Sequence, residues 1–271
     1  MKIFKDKYKL QKGLLSKKRV SFIPTMGGLH HGHISLIKRS KVFQHKILVS
    51  IFVNPKQFNK KKDFDSYPRN IKNDINKLKK LKVDYLYLPS YKDIYNFKAK
   101  NKVYLDKFSK ELCGKYRKGH FEGVLNVVNR FLEIIKPAYI FMGKKDYQQL
   151  FLIKKHIKKR KINTKLIECK LIREKNGIAC STRNKKLNKN QKKIAANIYS
   201  CLFKTKKKIK KTNNFFSMLK IKKKLMTLGA TKIDYVESYN LNDFTKTKNS
   251  NHNFNLFVAY YLKNTRLIDN I

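Results

Sequence analysis

The chain has 271 residues, 41% of them apolar, with 66 Lys and Arg against 17 Asp and Glu for a formal charge of +49. That length exceeds one ordinary core and points to one large domain or two unequal ones, while no apolar run approaches the ~18 residues a membrane-spanning helix needs. The start, MKIFKDKYKL, has no continuous apolar stretch of the kind that marks a secretory leader, and the four cysteines (Cys113, Cys169, Cys180, Cys201) show no CxxC or other metal-ligand spacing, which suits a reducing cytoplasm better than a disulfide framework.

Taken in chain order, RVSFIP (19–24) reads as a buried strand, and HISLIKRSKVF (33–43) as a helix with Ile34, Leu36 and Ile37 on its apolar side. KILVSIFV (46–53) is a second buried strand; the loop NPKQFNKKKDFDSYPRN then leads to a helix around INKLKKL (75–81) and a third strand, VDYLYLP (83–89). FEGVLNVVNRFLEIIKP (121–137) is a long helix closed by its proline, with core residues on its apolar face. The strand AYIFMG (138–143), the helix KDYQQLFLIKKHIKKR (145–160) and the strand KLIECKLI (165–172) complete the series. Strands alternating with helices predict a doubly wound parallel sheet, Rossmann-like, with ligands at the carboxyl ends of the strands. The composition shifts after about residue 172: two Lys-laden helices (around 189–211 and 214–228) precede KIDYVESY, FNLFVAYYL and TRLIDNI, which read as strands. The expected division is an α/β domain over 1–172 and a smaller α+β domain over 173–271.

The charge has one direct functional reading, nucleic-acid binding, because clustered Lys and Arg neutralise phosphates. Here the lysines are spread along the whole chain, and runs such as KKIKK (207–211) and KKRK (158–161) fall in helical patterns where a solvated face is the ordinary state. With no Trp and heavy use of Asn, Ile, Phe and Tyr, the pattern fits an A/T-rich coding bias. The expectation is no specific nucleic-acid partner.

Chemistry concentrates in PTMGGLHHGH (24–33), which carries three of the seven histidines and joins the first strand to the first helix. Gly27 and Gly28 permit close backbone approach, and Gly32 lets a ligand lie against the helix start. A helix N-terminus offers N–H groups and a positive dipole end to phosphate. His30 and His33 are three apart, so on a first helical turn they point the same way and can stabilise charge building on a phosphoryl group, while His31 turns aside. The stretch is neither GxxxxGK[ST] nor GxGxxG. His45, His156 and His252 fit no such pattern and are expected to be structural or on the surface.

HHGH has the HxGH form of the nucleotidyltransferase superfamily shared with class I aminoacyl-tRNA synthetases. The longer PTMGGLHHGHISLI resembles the pantothenate synthetase (pantoate–β-alanine ligase) family. VSIFVNPKQF (49–58), YPR (67–69), LCGKYRKGHFEGVLNVV (112–128), FMGKKDYQQL (141–150), GIACSTRN (177–184) and NTRLIDN (264–270) are similar to that family's remaining blocks, in order. The resemblance implies a homodimeric, cytoplasmic, ATP- and Mg2+-dependent ligase that joins D-pantoate to β-alanine through pantoyl adenylate. Neither its magnesium ligands nor its dimer contacts are implied residue by residue. The alternatives are another HxGH nucleotidyltransferase and, outside enzymes, a basic nucleic-acid binder.

Position by position, the resemblance places ATP on Met26, Gly27, Gly28, Leu29, His30, His31, Gly32 and His33, with His33 as general acid or proton donor toward the phosphates and His30 beside it. Gly143, Lys144, Lys145 and Asp146 would hold the nucleotide, as would Ile172, Cys180, Ser181, Thr182 and Arg183, with the smaller domain closing over it. Lys145 and Arg183 join the two histidines as the catalytic candidates. Gln57 would contact both pantoate and β-alanine, and Gln149 pantoate; Arg117 and His120 fall in a matching block without an assigned role. The chain departs from the family at Lys144 (GKKD for GEKD), Cys180, Thr182 (STR for SSR) and Lys118 (for the proline of RPGH).

Overall fold

Apolar runs that are covered on both faces become strands here, and the Lys-flanked periodic runs become helices. The computed structural model describes residues 1–15, 19–215, 217–251 and 253–271, so His252 lies outside the described residues. The chain divides into two compact units, Met1–Leu171 and Ile172–Ile271.

In the first unit the order is β1 (Lys2–Phe4), α1 (Lys7–Leu14), β2 (Val20–Thr25), α2 (His31–Lys41), β3 (Lys46–Ile51), α3 (Lys61–Asp65), α4 (Ile71–Lys80), β4 (Tyr85–Tyr87), α5 (Tyr91–Tyr95), α6 (Cys113–Tyr116), α7 (His120–Ile135), β5 (Tyr139–Gly143), α8 (Tyr147–Lys159) and β6 (Lys165–Cys169). The strands form one sheet, β1-β4-β3-β2-β5-β6, parallel at every pair. This is the predicted doubly wound sheet, with one addition: the edge strand β1 comes from MKIF, three residues too short to show a period. From β2 the chain winds outward to β3 and β4, then returns to the other side of β2 for β5 and β6. The winding reverses between β2 and β5, and the crevice outside their carboxyl ends is where such sheets hold ligands.

Pro24 helps to open that crevice. The ladder from β2 to β3 runs to Thr25, paired with Ile51, whereas β2 meets β5 only at Ser21 and Phe22. Pro24 lacks an N–H, so it cannot extend a ladder on that side. On one face of the sheet Ile23, Ile37, Val49, Leu78, Leu86 and Phe141 are fully buried together.

In the second unit α9 (Lys189–Thr212) and α10 (Met218–Thr227) precede β7 (Lys232–Asn240), β8 (Phe254–Leu262) and β9 (Thr265–Asn270). The three strands form an antiparallel sheet in the order β7-β8-β9. Ala195, Ile198, Leu202 and Ile209 of α9 and Leu225 of α10 share a core with Phe254, Leu256 and Val258. The lysines of both helices lie on the remaining, largely exposed faces, as amphipathic helices require.

His156 of α8 is fully buried. Its Nδ1 accepts from the Tyr104 amide (3.1 Å) and its Nε2 donates to Asn129 Oδ1 (3.0 Å), tying the 99–110 segment to α7. Burial, with help from Arg160, holds its pKa down at about 4. A depressed histidine pKa means that the unfolded chain takes up the proton first, so this contribution is complete above the ordinary value near 6.5 and is lost as pH falls toward 4. The Tm of the parent should therefore drop between pH 7.5 and pH 5 by more than that of His156→Gln, by about a few degrees. Equal drops in the two proteins would show that another group sets the acid sensitivity.

Candidate functional site

β2 ends and the backbone turns sharply: Gly27 and Gly28 both have positive φ (78° and 63°), a conformation costly for any side chain with a Cβ. A single buried carboxylate holds this turn. Asp74 of α4 accepts from the amides of Gly28 (2.7 Å) and Leu29 (2.8 Å), and Lys77, one turn further along α4, donates to the Leu29 carbonyl (2.8 Å). The Gly27 amide goes to Thr25 Oγ1 (3.2 Å). His30 is the N-cap of α2 and His33 its third residue, and each closes onto the other's end of the turn. His30 Nδ1 accepts from the Gly32 amide (3.1 Å), and His33 Nδ1 accepts from the His30 amide (3.4 Å).

The amides of Gly28, Leu29 and Gly32 are engaged by Asp74 and His30, so these hydrogen bonds shape the loop ahead of and into the first turn of α2. What the loop presents is imidazole. Each Nδ1 is an acceptor, which in the neutral ring leaves the proton on Nε2. The two rings lie side by side, centroids 4.0 Å apart, as the spacing predicted, whereas His31 is exposed. Burial first, then the neighbouring His30, with Lys145 and Lys77 adding to it, pushes the His33 pKa down to about 3; Asp146 opposes this. His33 is thus neutral at physiological pH: a hydrogen-bond donor whose proton transfer waits for an anion to raise its pKa.

Asp74 escaped the sequence reading, although a signal was there. It falls on the apolar stripe of α4 with Ile71, Ile75 and Leu78, and an acid in that position has to be satisfied internally. Replacing it with Asn sets an NH2 against an amide N–H. Asp74→Asn should cost about 1–3 kcal/mol in urea unfolding, against within about 0.5 kcal/mol for the exposed Asp65→Asn. Equal melts would show that the carboxylate does not hold the loop.

The segment after β3 brings in Gln57. Asn54 caps a 3-10 turn, Pro55–Gln57, and its Nδ2 donates to Gln57 Oε1 (3.2 Å). That contact orients the Gln57 amide, whose Nε2 points at Met26 Sδ (2.8 Å) on the HxGH loop. Asn54 is itself fixed by Tyr95, whose hydroxyl donates to Oδ1 (2.8 Å). Gln57 is buried beside the loop that carries the histidines.

The segment after β5 closes the other side. Gly143 precedes a 3-10 turn, Lys144–Asp146. Lys145 pairs with Asp146 (3.1 Å), and both act on the His33 charge. Lys144 pairs with Glu168 of β6 (3.4 Å), which explains how the chain tolerates a lysine where the family has an acid. The adjacent glutamines of α8 part company. Gln148 is buried and satisfied by the Cys113 amide and the carbonyls of Phe108 and Glu111. Gln149 is partly buried, and its side chain has no hydrogen-bond partner among the described residues.

In the second unit Arg173 and Ala179 bridge antiparallel strands of a short hairpin, and the Ile172 carbonyl accepts from the Cys180 amide (2.9 Å). Ser181 caps the 3-10 turn Thr182–Lys186, its Oγ accepting from the Arg183 amide (3.3 Å). Cys180 and Thr182 are buried. Among the described residues no three His, Cys, Asp or Glu side chains gather as a metal site, and none of the helices is long and apolar enough to cross a membrane.

A parallel sheet whose switch point gathers two imidazoles, a lysine and an oriented amide defines a class, the doubly wound α/β proteins whose ligand sites lie at the carboxyl edge of the sheet. Comparison with known proteins narrows the class. Residues 2–271 match the family described as pantoate-beta-alanine ligase, and the chain belongs to that family. It is 38% identical over 264 residues to the pantothenate synthetase of Flavobacterium psychrophilum (95% of this chain, 93% of the relative). It is 41% identical over 254 residues to that of Ruthia magnifica (94% and 91%). Among solved structures, the Francisella tularensis pantoate-beta-alanine ligase, described as complexed with beta-gamma ATP and beta-alanine, superposes with a TM-score of 0.84 at 38% identity, covering 100% of this chain and 97% of that one. The Thermus thermophilus pantothenate synthetase gives 0.91 at 27% identity, covering 100% and 99%.

Proposed function

We propose that this chain joins D-pantoate to β-alanine at the expense of ATP in two steps. A pantoate carboxylate oxygen attacks the α-phosphorus and expels pyrophosphate; the β-alanine amine then attacks the acyl carbon of pantoyl adenylate, AMP leaves and the amine loses a proton. A free carboxylate is a poor acyl electrophile, and the mixed anhydride supplies its leaving group.

The observation that carries this reading is the convergence of the paired imidazoles, Lys145 and the oriented Gln57 on one crevice. In it His30 and His33 donate through Nε2 to phosphate oxygens where charge builds, with Lys145 beside them. Met26 to Leu29, His31, Gly32 and Gly143 to Asp146 line the nucleotide. Gln57 meets pantoate and β-alanine, and Gln149, whose amide has no hydrogen-bond partner among the described residues, meets pantoate. The ligands named for the Francisella relative support the substrate assignment. Magnesium would be held chiefly by the triphosphate and water, where it would neutralise phosphate charge. The working form is a cytoplasmic homodimer.

The test is AMP formation from ATP with pantoate and β-alanine supplied together and singly. Turnover should require both; AMP formed at the same rate without pantoate would sink the proposal.

A further inference from the structure

Resting on the assignment of Gln57 to pantoate, we infer that Arg117 and His120 are positioning residues for that side chain, acting through its backbone. The Gln57 carbonyl accepts from His120 Nδ1 (2.8 Å) and from Arg117 Nη2 (3.1 Å), while Arg117 Nη1 lies 2.9 Å from His120 Nε2. These contacts form a closed triangle with one consistent proton assignment. A carbonyl only accepts, so Nδ1 carries the hydrogen; a guanidinium only donates, so Nε2 is bare. His120 is buried, and α7 starts at this residue. Gly119, with φ of 73°, turns the chain between the two partners, which accounts for the spacing R-x-G-H.

The same helix end seats the rest of the turn. Asn54 Nδ2, which orients the Gln57 amide, also donates to the Gly123 carbonyl of α7 (3.1 Å). Gly123 packs so tightly that a Cβ there would collide with the Lys56 carbonyl. Main chain and side chain of Gln57 are therefore both referenced to α7, a rigid 16-residue core helix. A displacement of about 1 Å in a substrate-positioning group is enough to be felt in rate, and two donors on one buried carbonyl prevent it.

The experiment has two independent readouts. In the 15N spectrum of the full-length protein, His120 should show the Nδ1–H tautomer; an Nε2–H tautomer would overturn the triangle whatever the kinetics. In steady state, His120→Phe keeps the ring volume and removes the donor, and should raise the pantoate KM by roughly tenfold with the ATP KM within about twofold. His120→Asn, whose amide nitrogen reaches the Nδ1 position, should recover most of that loss, a rescue that a purely structural role would not give. Arg117→Met should shift KM in the same direction by less, and it carries the comparison if His120→Phe does not fold. Equal rises in both KM values, or no rise where Gln57→Ala has one, would overturn the positioning role while leaving the pantoate assignment standing. Should Gln57→Ala itself leave the pantoate KM unchanged, the assignment fails and the inference with it.

Discussion

A folded His33→Ala variant loses pantoate-dependent exchange of pyrophosphate into ATP by roughly 100-fold or more, the loss typical of removing one well-placed transition-state donor. Omitting β-alanine isolates this first half-reaction, so an effect there assigns His33 to adenylation. His33 owes its geometry to three local features: the cap that His30 makes on α2, the Nδ1 contact that leaves Nε2 free to donate, and burial beside Lys145 and Lys77 that keeps the ring neutral with a pKa of about 3. His31→Ala is the control, since that side chain is exposed on the same turn, and its loss should be far smaller. The low pKa adds a second expectation. Because kcat/KM reports the free enzyme, its pH profile should show no break from His33 above roughly pH 5. A folded His33→Ala protein that exchanges at the parent rate would reduce the histidines to lining.

Gln57→Ala should lower kcat/KM for pantoate on the order of 100-fold, roughly 2.7 kcal/mol of transition-state stabilisation, with ATP affinity little changed. The amide is oriented by Asn54 and buried next to Met26, so its loss leaves substrate hydroxyl and carboxylate groups desolvated and unpaired, the situation in which discrimination is largest. Weaker ATP binding with unaltered pantoate kinetics would place Gln57 on the nucleotide instead. Measuring both substrates on both variants separates the two halves of the crevice: His33→Ala acts on phosphate chemistry, Gln57→Ala on pantoate.

The alternation of apolar and amphipathic runs is local information, and it sufficed for the six-stranded parallel sheet apart from its edge. β1 escaped because three residues carry no period, and pairing with β4 is what makes them a strand. Motif spacing likewise placed HHGH between a strand and a helix, and the paired orientation of His30 and His33 follows from helical geometry alone.

What the sequence by itself determined, then, is whatever depends on neighbours within a turn or two: strand and helix types, the histidine pair, and a family resemblance spread over the chain. The tertiary structure alone decided which distant groups satisfy which polar atoms. Asp74 is 46 residues from the glycine amide it holds, and His120 is 63 from the Gln57 carbonyl. Nothing local distinguishes these side chains from solvated ones, because a buried hydrogen bond is defined by the partner that folding brings to it. The protonation of His33 belongs with them. Its residue type makes it titratable, but the burial and the surrounding cations that keep it neutral arise only when α2, α4 and the segment after β5 meet at one edge of the sheet.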